Sequence, residues 1–510
     1  MSAQDLRQIS SPDLQLSLAD EAATVRLAED LAAVLQPGDL ICLSGDLGAG
    51  KSTLARALLR ALADDPDLEV PSPTFTLVQS YELPRFAVSH FDLYRIEEPE
   101  ELEELGLDEM LETGAALVEW PEMGSELLPT NRVWLNLAGE DDETRTAQFM
   151  FEETDFGKRL ERSRTIRAFL DQGGWHRAHR RHLKGDASAR TYERVFEDDR
   201  SAVLMNSPAL YAEKALGAEL SYSEIVHLAQ DVRPFVAIGE ELFRRGYGAP
   251  EIYAQDLGAG LLLLEDLGSE GVLKDGIPDP ERYEAATLLL ARMHGESWPE
   301  RVILSSAENY SLPPYDRRAL LAEVDLFLDW YVPEMTGKPA PDELRDEYHS
   351  LWSAAFDRIA SAETGWVLRD YHSPNLLWRA DRDGLDRIAL IDFQDAVIGP
   401  VAYDVGSLLF DARVEVSPEL ERHLFQAYLS ARKERQSDFD EAAFEAAYAV
   451  MSAQRIAKVL GIFVRLARRD GKPGYLRHLP RMNTYLDRAL NHPVLSDLKL
   501  WYDRNRPVSS

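Results

Sequence analysis

Three polar residues in the second half of the chain have the types and spacing that phosphoryl transfer needs. Asp370 stands five positions before Asn375 in Trp366-Val-Leu-Arg-Asp-Tyr-His-Ser-Pro-Asn-Leu-Leu377, and Asp392 ends the apolar run Ile388-Ala-Leu-Ile391. Transfer to a hydroxyl needs one carboxylate to orient the hydroxyl and take its proton, and oxygen ligands to hold Mg2+ on the phosphates. Asp370 suits the first role, Asn375 and Asp392 the second. A separate set lies near the N-terminus, in Gly45-Asp46-Leu47-Gly48-Ala49-Gly50-Lys51-Ser52-Thr53. Glycines at these positions let backbone N–H groups turn inward around phosphate oxygens. Lys51 would reach the β- and γ-phosphates of ATP, and the Ser52 hydroxyl would bind Mg2+.

Such a loop works only between a strand and a helix. Leu40 to Leu43 reads as a short buried strand, and Leu54, Leu58, Ala61 and Leu62 recur at helical spacing. The helix N-terminus from Lys51 to Thr53 adds its partial positive charge. Upstream, Leu14, Leu16 and Leu18 alternate with polar residues as in a half-buried strand. Asp20 then caps a helix running to about Leu35, which Pro37-Gly38-Asp39 ends. Downstream, Thr74 and Thr76 in Pro71-Ser-Pro-Thr-Phe-Thr76 are candidates for sensing the γ-phosphate or its metal; a proline-rich turn into a strand explains the segment equally well. Asp92 follows a β-like run and Glu119 ends the strand Ala115-Ala-Leu-Val118. Carboxylates so placed can hold Mg2+ or position water, and strand-end acids facing solvent fit these stretches as well. Glu97 to Glu112 is acid-rich and reads as a solvated helix.

At 510 residues the chain is too long for one core. A net charge of −34 repels nucleic acid, so any role near RNA runs through a protein partner. The one cysteine, Cys42, excludes an intrachain disulfide and a multi-cysteine zinc site, and reads as a small buried side chain. The start, Met1-Ser-Ala-Gln-Asp5, does not read as a signal peptide, and no apolar stretch approaches a membrane span. A cytoplasmic protein with no membrane role is expected.

Phe151 to Leu160 lacks a strong pattern and marks the seam, giving domains over 1–155 and 160–510. Ser163 to Leu170 opens the second as a helix. Trp175-His-Arg-Ala-His-Arg-Arg-His182 is basic, and no carboxylate or cysteine completes a metal set among its histidines; it reads as a solvated connection from helix to strand. Lys184 to Ser188 reads as a hairpin turn that can lie over phosphates, continued by strands at Tyr192–Phe196 and Ala202–Met205. Gly260 to Gly268 reads as a buried strand leading to a hinge. Helical residues from Tyr315 to Tyr331, including Asp316 and Trp330, suit a substrate side or a core. Helices with Ala and Leu periodicity fill the chain after about 415.

Four ordered motifs in the first part, Ser44 to Ser52, Ser72-Pro-Thr-Phe-Thr76, His90-Phe-Asp-Leu-Tyr-Arg95 and Val118-Glu-Trp-Pro121, resemble the TsaE family. That is the small ATPase of bacterial tRNA threonylcarbamoyladenosine synthesis. The resemblance implies ATP binding by the loop, support of Mg2+ and hydrolysis by Asp92 and Glu119, and Trp120 near the nucleotide. It also implies docking on the threonylcarbamoyl transferase complex, with tRNA contacted only indirectly. Ser52 replaces the family's usual Thr and keeps the hydroxyl. From roughly Gly185 to at least Leu409 the chain resembles the aminoglycoside phosphotransferase (APH)/choline kinase superfamily. Its carriers are Asp370, Asn375 and Asp392 with Leu263-Leu-Glu-Asp-Leu-Gly268, Leu290-Ala-Arg-Met-His294 and Gly399-Pro-Val-Ala-Tyr-Asp404. Asp404 and His294 are read as structural. Leu368 replaces a histidine often present in the catalytic loop, and Met205 replaces the usual phosphate-binding lysine. Gly185-Asp-Ala-Ser188, Val203-Leu-Met205 and Pro313-Pro-Tyr-Asp316 are most similar to the anomeric kinases of N-acetylmuramate and N-acetylglucosamine in cell-wall recycling. The expectation is an α/β P-loop NTPase domain followed by a protein-kinase-like α+β bilobal domain. It would act as a tRNA-modification ATPase fused to a phosphotransferase acting on a small hydroxylated amino sugar. Met205 favours the alternative, a regulatory pseudokinase as second domain. A general ATP-dependent switch is the third reading, for the first domain.

Overall fold

The structure is a computed structural model and describes residues 11–96, 101–139, 144–183, 190–210 and 220–507. It divides into two compact units, Met1–Asn206 and Ser207–Ser510.

In the first unit, a seven-stranded sheet comprises β1 (Leu14–Leu18), β2 (Leu40–Ser44), β3 (Val78–Tyr81), β4 (Val88–Asp92), β5 (Ala115–Glu119), β6 (Arg132–Gly139) and β7 (Arg145–Glu152), in the order β1-β7-β6-β2-β5-β4-β3. The inner strands β6, β2, β5 and β4 run parallel; β1, β3 and β7 are antiparallel to their neighbours. Every residue of β2, β4 and β5 is buried, which is why β2 and β5 read as continuous apolar runs rather than alternations; β4 buries Ser89 and His90 as well. Asp20 caps α1 (Glu21–Val34) by accepting from the Ala23 N–H at 2.7 Å. Along α2 (Lys51–Ala63), Leu54, Ala55, Leu58, Leu59 and Leu62 face the core. Cys42 is fully buried, and burial pushes its thiol well above the ordinary value. The acid-rich stretch is two short helices, Glu101–Glu104 and Leu107–Leu111, with Leu102 and Leu107 buried; Gly106 between them has φ +71°, and residues 97–100 lie outside the described part.

The stretch after β7 departs from the sequence reading. It is one helix, α3 (Phe156–Gln172), beginning ahead of Ser163, with Phe156 and Leu160 in the core of the N-terminal sheet. Three antiparallel strands follow, β8 (His179–Leu183), β9 (Thr191–Glu197) and β10 (Arg200–Asn206). The basic segment is not solvated at its centre: the Arg180 side chain is only 1% exposed. Its guanidinium meets Asp30 of α1 at 2.7 Å, Ser163 Oγ at 2.8 Å and Glu193 at 2.6 Å. Arg167 meets the same Asp30 oxygen at 2.7 Å, and His179 Nδ1 lies 2.6 Å from Glu29 Oε1. A buried cation is tolerable only with such partners, and these come from elements far apart in sequence. Residues 184–189, including Gly185 and Ser188, lie outside the described residues, and with them the hairpin turn expected there.

In the second unit, β11 (Ile252–Asp256) and β12 (Leu261–Glu265) form a hairpin. Then come α4 (Pro280–His294), α5 (Arg317–Leu326) and a π-helical turn over Phe327–Tyr331. The strands β13 (Thr364–Val367) and β16 (Val397–Pro400) pair antiparallel, as do β14 (Leu376–Trp378) and β15 (Ile388–Leu390). After β16, α6 (Ala402–Leu409) leads towards the long α7 (Glu441–Arg468). This helix does reach the length and apolarity of a membrane span, contrary to the sequence reading, but 94% of its apolar window is buried in the protein. It is the core helix of this unit. Gly461 lets it approach the end of α5 so closely that a Cβ there would lie 2.1 Å from the Leu326 carbonyl oxygen.

Candidate active sites

The parallel register of the first sheet gathers three strand ends. Asp92 is paired with Glu119 across β4–β5, and Leu43 with Glu119 across β2–β5. Open α/β sheets bind ligands outside the carboxyl ends of their strands. Here that edge carries the glycine loop, Asp92 and Glu119 together. Gly45 has φ +131°, and a Cβ on it would lie 2.3 Å from the Leu137 carbonyl oxygen, so only glycine fits. Gly48 and Gly50 also have positive φ.

Lys51 folds over the loop, donating to the carbonyls of Gly45 at 2.7 Å and Asp46 at 3.0 Å; its Nζ lies 3.8 Å from the Trp120 ring centre. Burial lowers its pKa, against the opposing pull of Glu119, Glu122, Asp92 and Asp46. Ser52 Oγ donates to Glu119 Oε2 at 2.9 Å, and the other Glu119 oxygen lies 3.0 Å from His90 Nε2. Asp92 is held by Thr74 Oγ1 at 2.7 Å, Ser72 Oγ at 3.1 Å and the Tyr94 N–H at 3.1 Å. Neither acid is a solvent-facing strand end: Asp92 is 3% and Glu119 2% exposed. Thr76 makes no such bond among the described residues. Ser52, Glu119 and Asp92 offer the hard oxygen donors that Mg2+ prefers. His90 shows in the sequence only as part of a motif, because its contact with Glu119 depends on pairing across the sheet.

In the second unit, Asp370, Asn375 and Asp392 line one small cleft with Tyr371 and Phe393. Asn375 Nδ2 donates to the Asp370 carbonyl at 2.9 Å, and the Ile391 N–H donates to the Asn375 carbonyl at 3.1 Å, linking the two loops. Arg369 and Asp392 both have positive φ, +67° and +58°, so one loop bends sharply just before Asp370 and the other at Asp392. The Asp370 side chain keeps 40% of its surface exposed. Burial pushes its carboxyl up, but the charges of His372, Lys458, Arg455 and Arg369 outweigh burial and hold it below the ordinary value. It is therefore ionised at neutral pH, as a proton acceptor must be.

With Leu368 in the loop, Asp404 at the start of α6 supports it. Asp404 is buried, and its carboxylate accepts the Leu368 and Arg369 N–H groups. Burial raises its pKa to about 7, opposed by those two bonds. Below lies a network that no sequence pattern revealed. Glu323 of α5, fully buried, pairs with Arg369 and with Lys458 Nζ at 2.7 Å, and accepts from Gln454 at 2.9 Å and from the Tyr315 hydroxyl. The cations Lys458 and Arg369 hold it at about 2 despite burial. Asp316 caps α5 through the Ala319 N–H at 2.8 Å, and Trp330 is half-buried in the π turn. Met205 is buried on β10 opposite Tyr192. His294 is buried, with Nδ1 2.8 Å from the Tyr428 hydroxyl, and burial depresses its pKa to about 3.

Residues 179–444 match the model of the phosphotransferase enzyme family APH, and residues 18–147 match that of threonylcarbamoyl adenosine biosynthesis protein TsaE. The N-acetylmuramate/N-acetylglucosamine kinase of Caulobacter vibrioides is 36% identical over 362 residues, covering 69% of this chain and 98% of that one. The kinase of the same name from Pseudomonas aeruginosa is 34% identical, covering 61% and 84%. The tRNA threonylcarbamoyladenosine biosynthesis protein TsaE of Rickettsia bellii is 40% identical over 131 residues, covering 26% of this chain and 90% of that protein. These relatives lend no support to a non-catalytic second domain.

Proposed function

We infer from a chain that belongs to the TsaE family over its first part and to the APH phosphotransferase family over its larger part that two ATP-using reactions share one polypeptide. The working division is an ATPase over 1–155 and a phosphotransferase over 160–510. The phosphotransferase would move the γ-phosphoryl group of ATP to the anomeric hydroxyl of an N-acetylated amino sugar. The observation that carries this reading is the meeting of Asp370, Asn375 and Asp392 at one cleft, with Asp370 ionised.

In this reading Asp370 orients the sugar hydroxyl and takes its proton, while Asn375 and Asp392 offer oxygen ligands for Mg2+. The ion, when bound, neutralises charge on the phosphates. In the ATPase, the loop from Gly45 to Thr53 cradles phosphates, with Lys51 on the β- and γ-groups and Trp120 beside the nucleotide. Ser52 and Glu119 suit Mg2+, and Asp92 and Glu119 support hydrolysis. This domain serves tRNA threonylcarbamoyladenosine formation by docking on the threonylcarbamoyl transferase subunits, with tRNA reached only through them. Both reactions belong in the cytoplasm.

The test is to incubate the full chain with Mg-ATP and a panel of sugars, choline and aminoglycosides, and follow products by phosphorus NMR. An anomeric phosphate of an N-acetylated amino sugar is expected. Tight Mg-ATP binding with no acceptor phosphorylated would overturn the kinase assignment. Failure to bind the threonylcarbamoyl transferase subunits would return the first domain to a general switch.

A further inference from the structure

Helix α7 carries Gln454, Arg455 and Lys458 within little more than one turn. Gln454 and Lys458 direct their donors to Glu323, which also receives Arg369 and Tyr315. Arg455 has no such outlet. It is 4% exposed, makes no ion pair among the described residues, and its Nη1 is sealed from water without a hydrogen-bond partner. A guanidinium cannot shed its proton to escape this position. Buried polar groups are nearly always paired, and a buried unpaired charge is strongly unfavourable. An anion brought by a ligand would complete the site.

The surroundings say where that anion sits. Gln454 and Lys458 contact Glu323, Glu323 contacts Arg369, and Arg369 immediately precedes Asp370. The Arg455 charge acts on Asp370, His372 and Asp404. Yet Arg455 does not line the cleft that holds Asn375 and Asp392. The free donor thus lies near the proton-accepting carboxylate and outside the pair assigned to the phosphates and their metal.

We propose that Arg455 binds a carboxylate on the acceptor sugar, beside the hydroxyl that Asp370 orients, and so favours an acidic N-acetylated amino sugar over its neutral counterpart. This rests on the amino-sugar kinase reading. N-acetylmuramate carries a lactyl carboxylate where N-acetylglucosamine has a plain hydroxyl. An arginine–carboxylate pair is charge-assisted and directional, so one contact is enough to separate the two.

The experiment compares the full chain with its Arg455→Gln and Arg455→Lys variants on both sugars, by steady-state kinetics and by calorimetric binding. Melting curves for each check folding. The acid-to-neutral ratio of kcat/KM should fall roughly ten- to a hundred-fold in Arg455→Gln, the scale of one lost charged hydrogen bond, through KM for the acid. Arg455→Lys should recover part of it. Wild-type protein supplies an arm independent of any variant: the neutral amide of N-acetylmuramate should bind as weakly as the acid binds Arg455→Gln. An unchanged ratio, a rise in KM for ATP instead, or equal affinity for acid and amide would overturn the proposal while leaving the kinase reading standing. Arg455-dependent binding of the acid with no phosphorylation of either sugar would support the carboxylate site and sink the kinase reading. No binding of either sugar would overturn both.

Discussion

Asp404 accepts hydrogen bonds from the backbone N–H groups of Leu368 at 2.6 Å and Arg369 at 2.9 Å, the two residues leading into Asp370. The buried carboxylate therefore sets the path of the loop that carries Asp370 without lining the cleft itself. In Asp404→Asn, the amide nitrogen would face one of those N–H donors. Losing one such bond is worth about 1.5–3 kcal/mol. We expect kcat for sugar phosphorylation to fall roughly ten- to a hundred-fold, with KM for ATP nearly unchanged and the melting temperature showing a folded protein. Equal changes in both constants would point to general disruption rather than positioning.

The chain should bind two equivalents of Mg-ATP, one per site. Lys51→Ala should leave one, because it removes the cation of the glycine loop, and Asp392→Ala should remove the other. Equilibrium dialysis counts them. In the ATPase, Asp92→Ala and Glu119→Ala should lower turnover more than affinity; parallel losses would argue against catalytic roles.

Asp370→Asn keeps the shape of the cleft but cannot accept a proton. Phosphorylation should fall by about 10²–10⁴-fold, the usual worth of a positioned base, while Mg-ATP still binds. Turnover within a factor of a few of wild type would remove Asp370 from the base role.

His294 gives a pH signature. Its native pKa, about 3, lies below the ordinary 6.5, so the unfolded chain takes up the proton first. The stability it contributes is complete above pH 6.5 and is lost as pH falls towards 3, by about 1.4 kcal/mol per pH unit while one site titrates. Burial shifts His372 in the same direction, so the wild-type slope should exceed one proton. Urea unfolding midpoints at several pH values should flatten in His294→Gln; identical slopes would exclude this origin.

Arg180→Ala takes the guanidinium from the buried Glu193 and leaves Asp30 to Arg167. Breaking a buried pair from one side costs about 3–5 kcal/mol. The double variant Arg180→Met with Glu193→Leu should recover part of that, because Asp30 keeps Arg167. Calorimetric melting of the full chain reads the difference, and a loss below about 1 kcal/mol, the scale of an exposed pair, would show the contact to be solvated.

What the sequence disclosed was local. Gly45 to Ser52 and the set Asp370, Asn375 and Asp392 are each compressed into a short stretch whose residue types admit few other uses. The strand bearing Glu119 was legible because full burial leaves a continuous apolar run, while the one bearing Asp92 includes Ser89 and His90 and reads only as β-like. Their burial was not, since it depends on sheet order. Arg180 looked solvated because its partners Asp30 and Glu193 are remote from it along the chain or across a strand pair. Arg455 and Lys458 sit in an Ala-rich helix whose period says which face is buried but not what chemistry that face meets. The same period concealed that α7 satisfies a membrane-span test while serving as an interior helix.

The ionic cluster around Asp30 bears on how this gene product can be taken apart. A cut near residue 155 would leave Glu29 and Asp30 on one fragment and Arg167, His179 and Arg180 on the other. The first piece would then carry two buried carboxylates without the cations that face them. All five side chains belong to the first compact unit, Met1–Asn206, so a truncation that respects this cluster falls after that unit and not where the motifs thin out. A duplication that copied only residues 1–155 would first have to rewrite Glu29 and Asp30.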